Sequence, residues 1–267
     1  VVLFAPTVTA LARDWWTNPD AGHGLLLAPL ALWLCWRKGL VQDAVPTRSL
    51  GLAMIVVAVL FRVAGAVAAE LFTQRSAMLL AAMGLVVFFL GVRQLVFWWL
   101  PVGLLALSIP LPALILNQLA LPLQLLASRM GAWLLELRNI PVHLAGNVIL
   151  LPGHQLFVTE ACSGLRSLTS LLSLGLLFGG VFLGSPWLRG LLMLSAIALA
   201  IVMNAVRVFL TGFLVFFVSP EAGDGFLHLS QGWLMFVVSI GALGLLTWVA
   251  RRVERRPGAG GTQAVAA

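Results

Sequence analysis

The run LGLAMIVVAVLFRVAGAVAA, from Leu50 to Ala69, carries a single ionisable residue, Arg62. It matches the roughly 20 apolar residues that a helix needs to cross a bilayer. Comparable runs recur at Gly24–Trp36, Ala77–Leu90, Leu95–Ile109, Gly164–Leu183, Leu191–Phe213 and Gly232–Ala250. Only 9% of the residues are charged and 61% are hydrophobic, whereas a soluble domain carries about 25% charged residues. A transmembrane β-barrel would instead read as short segments of alternating polarity, a pattern these runs lack. The opening VVLFAPTVTALA reads as the end of a further span rather than a signal peptide. The expected fold is an all-α polytopic membrane protein with about eight transmembrane helices, the first truncated. Residues 1–256 are expected to form a single integral membrane domain, with 257–267 as a disordered cytoplasmic tail.

Charge placement sets the expected orientation. The net charge of +7 comes from basic residues scattered through short loops, with one cluster at Arg251, Arg252, Arg255 and Arg256. This pattern fits a positive-inside anchor better than a nucleic-acid surface, so lipids are the expected contact and nucleic acid is not. A cytoplasmic C-terminus puts SPEAGDGFLHLSQ outside, SPWLRG inside and Cys162 outside. Counting from the other end, Arg37, Lys38 and Arg48 fall inside, Asp20 and His23 outside, and Arg93 inside. The two counts agree if Pro112–Arg138 makes no net crossing. Asn117, Gln124 and Ser128 share one face of that segment among leucines, as in an amphipathic helix lying in the outer interface. The next stretch, NIPVHLAGNVILLPGHQLFVTEA, alternates apolar and polar residues and predicts a short extracytoplasmic β-hairpin.

This topology brings three reactive residue types to one membrane level. Cys162 opens the span near Gly164, Arg207 lies near the outer end of the next, and His228 sits in the following outer loop. A thiolate is a nucleophile whose pKa falls beside cations or at a helix N-terminus. Histidine can take the thiol proton and return it to a leaving amine. Arginine stays charged, so it serves an oxyanion or a carboxylate rather than acting as a base. Each residue also has a structural reading: packing for Cys162, snorkelling for Arg207 and a solvated loop for His228.

Supporting positions follow from spacing. Glu160 and Arg166 could pair or orient the site, or anchor the interface. Asn204 lies one turn before Arg207, on the same face. Ser163 and Ser167 could supply donors or cap the helix. Asp20 and His23 could line a substrate entry or be solvated loop residues. Cys35 reads as packing beside Trp36. His23, His143, His154 and His228 are too dispersed for a metal site, and no H-E-x-x-H motif occurs. Neither a metal nor another cofactor is expected.

The segments EACSGLRSL (Glu160–Leu168), NAVR (Asn204–Arg207) and H-x-x-x-G-W (His228–Trp233) occur in the order found in the exosortase/archaeosortase family. NPDAGHGLLLAPLALWL and IPVHLAGNVILLPG also resemble that family, so the resemblance runs from about Asn18 to Trp248. It implies a membrane-embedded cysteine protease or transpeptidase. Its substrates would be secreted proteins with a C-terminal tail: a short motif, often of the PEP-CTERM kind, a transmembrane helix and a basic cluster. Carried over by motif, Cys162 is the nucleophile, Arg207 the essential arginine and His228 the third member, where the archaeal branch often has arginine. Family members often carry an arginine–glutamate pair just before GN; here His143, Leu144 and Ala145 precede it. The acceptor that resolves the thioester is left open between water, an amine and a hydroxyl. A different class of function also remains open, a transporter or scaffold using Arg207 and His228 as a conduction or binding site. Such a protein tends to place its charges near the bilayer midplane.

Overall fold

The computed structural model describes residues 2–158, 164–218 and 225–255, with side chains described from 3–158, 164–218 and 232–255. The chain divides into two compact units, Val1–Leu116 and Asn117–Ala267. Among the described residues, five helices are long and apolar enough to cross a membrane. Other expected spans correspond to shorter helices.

The first unit contains α1 (Ala5–Thr17), α2 (Gly24–Lys38), α3 (Arg48–Val67), α4 (Leu71–Leu90), α5 (Val92–Phe97) and α6 (Trp99–Leu107). Its polarity is inverted relative to a soluble protein. Leu52, Val56, Leu60, Phe61 and Val63 of α3 are exposed, while Gly51, Ala58 and Gly65 are buried. Small residues let helix backbones approach where lipid, rather than water, surrounds them. A Cβ on Gly51 would lie 2.5 Å from the Phe88 backbone of α4, so this hairpin closes on glycine. Glu70 caps α4, its carboxylate accepting from the N–H groups of Phe72 and Thr73 at 2.9 and 2.5 Å.

Leu95–Ile109 was expected as one span but forms two short helices that break at Trp98. Pro101 accounts for the break, since its ring crowds the carbonyl four residues earlier and its nitrogen carries no hydrogen. That carbonyl, on Phe97, accepts from Lys38 Nζ at 2.9 Å. Gln94 is fully buried beside it, accepting from Val41 N and donating to Gly39 O. Lys38, Arg48 and Arg93 thus share one end of the unit. At the opposite end Trp15 Nε1 donates to Ser108 O at 2.8 Å, and Arg75 pairs with Asp14.

The second unit holds most of α7 (Ala113–Glu136), strands β1 (His143–Ala145), β2 (Val148–Leu151) and β3 (His154–Phe157), then α8 (Leu165–Phe182), α9 (Pro186–Phe217) and α10 (Gly225–Glu254). The predicted hairpin is realised as a three-stranded antiparallel meander in the order β1-β2-β3. Gly146, at φ +64°, opens the first two-residue turn, and Pro152-Gly153, with Gly153 at φ +78°, makes the second. Ile149 and Leu151 pack with Leu135 of α7 and with Val208 and Val215 of α9.

The polar stripe of α7 differs from the interfacial expectation. Gln124 and Ser128 face the interior, and only Asn117 is exposed; Leu114, Leu121 and Trp133 point outward. An interfacial helix would turn its polar face to water. The exposed residues are mixed: Asn117, Gln118, Arg129 and Glu136 lie outside together with Leu114, Leu121 and Trp133. Ser128 Oγ is satisfied within the helix, donating to Gln124 O at 2.8 Å.

Helices α8 and α9 form an antiparallel hairpin whose core with α10 includes Leu171, Ala196, Ala200 and Leu243. At its tight turn, Glu254 near the end of α10 accepts from Gly184 N at 3.1 Å and Ser185 N at 2.5 Å. Arg189 donates twice to Leu183 O, at 2.9 and 2.8 Å. These contacts put the α8–α9 turn at the C-terminal end of α10. The start of α8, the later turns of α9 and the start of α10 consequently share the other end.

Candidate active site

At that shared end, Gly164 precedes α8 in the left-handed conformation, φ +81° and ψ +3°, which glycine adopts without a Cβ penalty. A Cβ there would lie 2.9–3.1 Å from Cγ, Cβ and Nδ2 of Asn204. Gly164 therefore rests directly on the Asn204 side chain, which is 7% exposed. Residues three apart in a helix are neighbours, so Asn204 and Arg207 lie on the same side of α9. A Cβ on Gly232 of α10 would in turn meet the Arg207 guanidinium, with its Cζ 3.6 Å away. Each of the three sequence motifs thus contributes a described residue to one continuous contact.

Further contacts hold this layer. Thr211, one turn beyond Arg207 and 3% exposed, donates to Arg207 O at 2.9 Å. Val158, where the sheet leads toward the cysteine motif, is tied to Asn147 in both directions. Its N–H donates to Asn147 O at 2.9 Å, and its carbonyl accepts from Asn147 Nδ2 at 3.1 Å. The segment between Val158 and Gly164 thus has an anchored residue on either side. A shallow apolar crevice, lined by Leu123, Leu168, Ala200 and Ile201, lies beside Gly164.

The predicted site residues distribute as follows. Asn204 and Arg207 come together on α9, buried and half-buried respectively. Arg166 is exposed on the first turn of α8, and Ser167 beside it is half-buried. Glu160, Cys162 and Ser163 lie outside the described residues, as does the His228 side chain, although His228 belongs to α10, one turn before Gly232. His23 lies in the first unit, where the contact between its Nε2 and Leu107 O at 3.1 Å braces α2 against α6. Because the carbonyl can only accept, Nε2 carries the hydrogen. Among the described residues, no group of three or more His, Cys, Asp or Glu side chains could hold a metal ion.

Sequence reasoning did not anticipate Gly164 and Gly232 as contact points. Both stand inside the quoted motifs, but a glycine's use appears only when its neighbour is known. No curated protein and no solved structure matches the chain. Residues 15–245 match the family described as transmembrane exosortase, and the apolar helices agree with a multi-pass membrane protein. The chain belongs to the transmembrane exosortase family.

Proposed function

We propose that this protein is a membrane cysteine protease or transpeptidase that cleaves the C-terminal sorting tails of secreted proteins, with Cys162 as nucleophile. The observation that carries this reading is the contact of Gly164 with Asn204 and of Arg207 with Gly232. Cys162 is two residues from Gly164, at most about 7 Å of chain. His228 is one helical turn from Gly232. A thiol, a guanidinium and an imidazole carried so close to one contact layer suit acyl transfer.

The thiol proton passes to His228, and the thiolate adds to the carbonyl carbon of the scissile peptide bond. Arg207 stabilises the developing oxyanion. The C–N bond then breaks, the leaving amine takes the proton from His228, and a thioester remains on Cys162. Water, an amine or a hydroxyl next attacks the thioester and yields its proton to His228. The C–S bond breaks and the thiolate is restored. Asn204 and Ser163 support this site, while Glu160 and Arg166 orient its entrance. His23 is less suited to meet substrate, since its ring already braces Leu107.

The enzyme is proposed to sit in the cytoplasmic membrane with the active site on the outer side and the C-terminus inside, following the basic cluster at Arg251 and Arg252. The test is co-expression with a tail-bearing protein, comparing wild type, Cys162→Ala and Cys162→Ser. Processing by wild type alone is expected; equal processing by all three would remove Cys162 as nucleophile. Thiol labelling from outside intact cells checks the sidedness, and labelling only from the cytoplasm would reverse it.

A further inference from the structure

Strand β3 is an edge of the sheet, and the chain runs from it toward the cysteine motif. The order β1-β2-β3 leaves β3 bonded on one side. Which of its backbone groups are free follows from the register. Val158 N donates to Asn147 O, so that pair is hydrogen-bonded. Bonded and non-bonded pairs alternate along an antiparallel ladder. Leu156 opposite Ile149 and His154 opposite Leu151 therefore bond to β2, whereas Phe157 opposite Val148 and Gln155 opposite Leu150 do not. The N–H and C=O groups of Gln155 and Phe157 point away from the sheet. Among the described residues, no hydrogen-bond partner meets them.

An open edge is a template for another strand, and proteins blunt such edges by shortness, proline or lysine. The opposite edge is blunted, since β1 has three residues and Pro141 lies just ahead of it. Strand β3, with the sequence HQLF, carries neither proline nor lysine. Phe157 is 60% exposed, on the same face as the exposed Gln155. The position of β3 is set by Leu156, which packs over Gly212 of α9; an added Cβ there would lie 3.5 Å from Leu156 Cδ2. Gly212 is five residues, about 7–8 Å of helix rise, beyond Arg207. Cys162 is five residues beyond Phe157, at most about 18 Å of chain.

A thiolate reaches a peptide carbonyl carbon in an extended chain, because a helical carbonyl is already bonded and screened by side chains. Extended chain leaves an N–H and a C=O unpaired at every second residue, which is costly where water is scarce. Gln155 and Phe157 offer the complementary groups at the same period. Given the cleavage of sorting tails proposed above, we infer that the tail's short motif, ahead of its transmembrane helix, binds as an added strand along β3. Main-chain bonds to Gln155 and Phe157 fix the register in which the scissile bond approaches Cys162. Phe157 favours an apolar β-branched or aromatic residue opposite it.

Gln155→Pro tests the edge and spares the ladder, because the Gln155 N–H takes no part in it and edge strands accept proline at such positions. The full chain is co-expressed with a tail-bearing secreted protein, and processing rates are compared among wild type, Gln155→Pro and Gln155→Ala. Gln155→Pro should be slower by about fivefold or more, the worth of one main-chain hydrogen bond, while Gln155→Ala, which keeps the N–H, should stay within about twofold. Equal rates in the two variants would overturn the edge and leave the protease reading intact. Binding is read separately, by cross-linking from p-benzoylphenylalanine in place of Phe157 in the Cys162→Ala chain. A cross-link to the motif of the tail-bearing protein is expected. That cross-link without processing by wild type would keep the edge and refute the cleavage. No cross-link to the motif, or one only to a second copy of this chain, would overturn the edge. If Gln155→Pro does not fold, the cross-link decides.

Discussion

Replacing Gly164 by alanine tests the closest contact in the candidate site. Two costs add at this position. The backbone stands at φ +81°, a region that costs a residue bearing a Cβ about 1–2 kcal/mol. The new methyl would also lie 2.9 Å from Asn204 Cγ and 3.0 Å from its Cβ. Asn204 is buried and its neighbour Ala205 is 1% exposed, so it has little room to yield. Overpacking of this kind costs about 1–3 kcal/mol. The expected loss is therefore about 2–5 kcal/mol, measured by reversible denaturation in mixed micelles. Asn204→Ala removes Cγ and Nδ2 and should make Gly164→Ala about 1 kcal/mol cheaper, leaving the backbone cost. A loss below about 0.5 kcal/mol, or a loss unchanged in the Asn204→Ala background, would refute the packing reasoning.

Other consequences can be measured on the same chain. Hydrogen bonding to Thr73 holds the Glu70 carboxyl below its ordinary range, against an opposing effect of burial. A lowered folded value means that the capping stabilisation is fully present above the ordinary carboxylate pKa and is lost as pH falls through the lowered value. Amide exchange at Phe72 and Thr73 should therefore accelerate in acid, and Glu70→Gln should flatten that pH dependence; unchanged exchange would show that the cap is not ionic. Glu254→Ala should free the amides of Gly184 and Ser185 and destabilise the α8–α9 turn by about 1–2 kcal/mol. Faster exchange at those two amides is the expected reading, and unaltered protection would mean the cap contributes nothing.

How much was legible in the sequence differs by element. The hairpin of α3 and α4 was readable because two long apolar runs, Leu50–Ala69 and Ala77–Leu90, follow each other closely in the sequence. The early start of α9 at Pro186 had a signal in Ser185-Pro186, a cap followed by proline at the first helical turn. The break at Trp98 also had one, in Pro101. The orientation of α7 did not, since periodicity identifies the stripe of Gln124 and Ser128 but not the side on which lipid lies. The pairing of Asn204 with Arg207 followed from helical spacing alone. The meeting of Gly164 with Asn204, and of Arg207 with Gly232, depends on how three helices cross, which local spacing does not encode. For His23 the sequence left a substrate entry and a solvated loop open; the contact of its Nε2 with a backbone carbonyl 84 residues away is not encoded in local spacing.

Acid-quenched mass spectrometry of the full chain with a tail-bearing substrate is the most direct test of the proposed chemistry. The predicted result is the substrate's N-terminal fragment joined to the peptide containing Cys162, released by hydroxylamine and absent in Cys162→Ala. His228→Ala should reduce the yield without moving the attachment point. Cleaved substrate with no adduct at any time point, or an adduct on another residue, would contradict it.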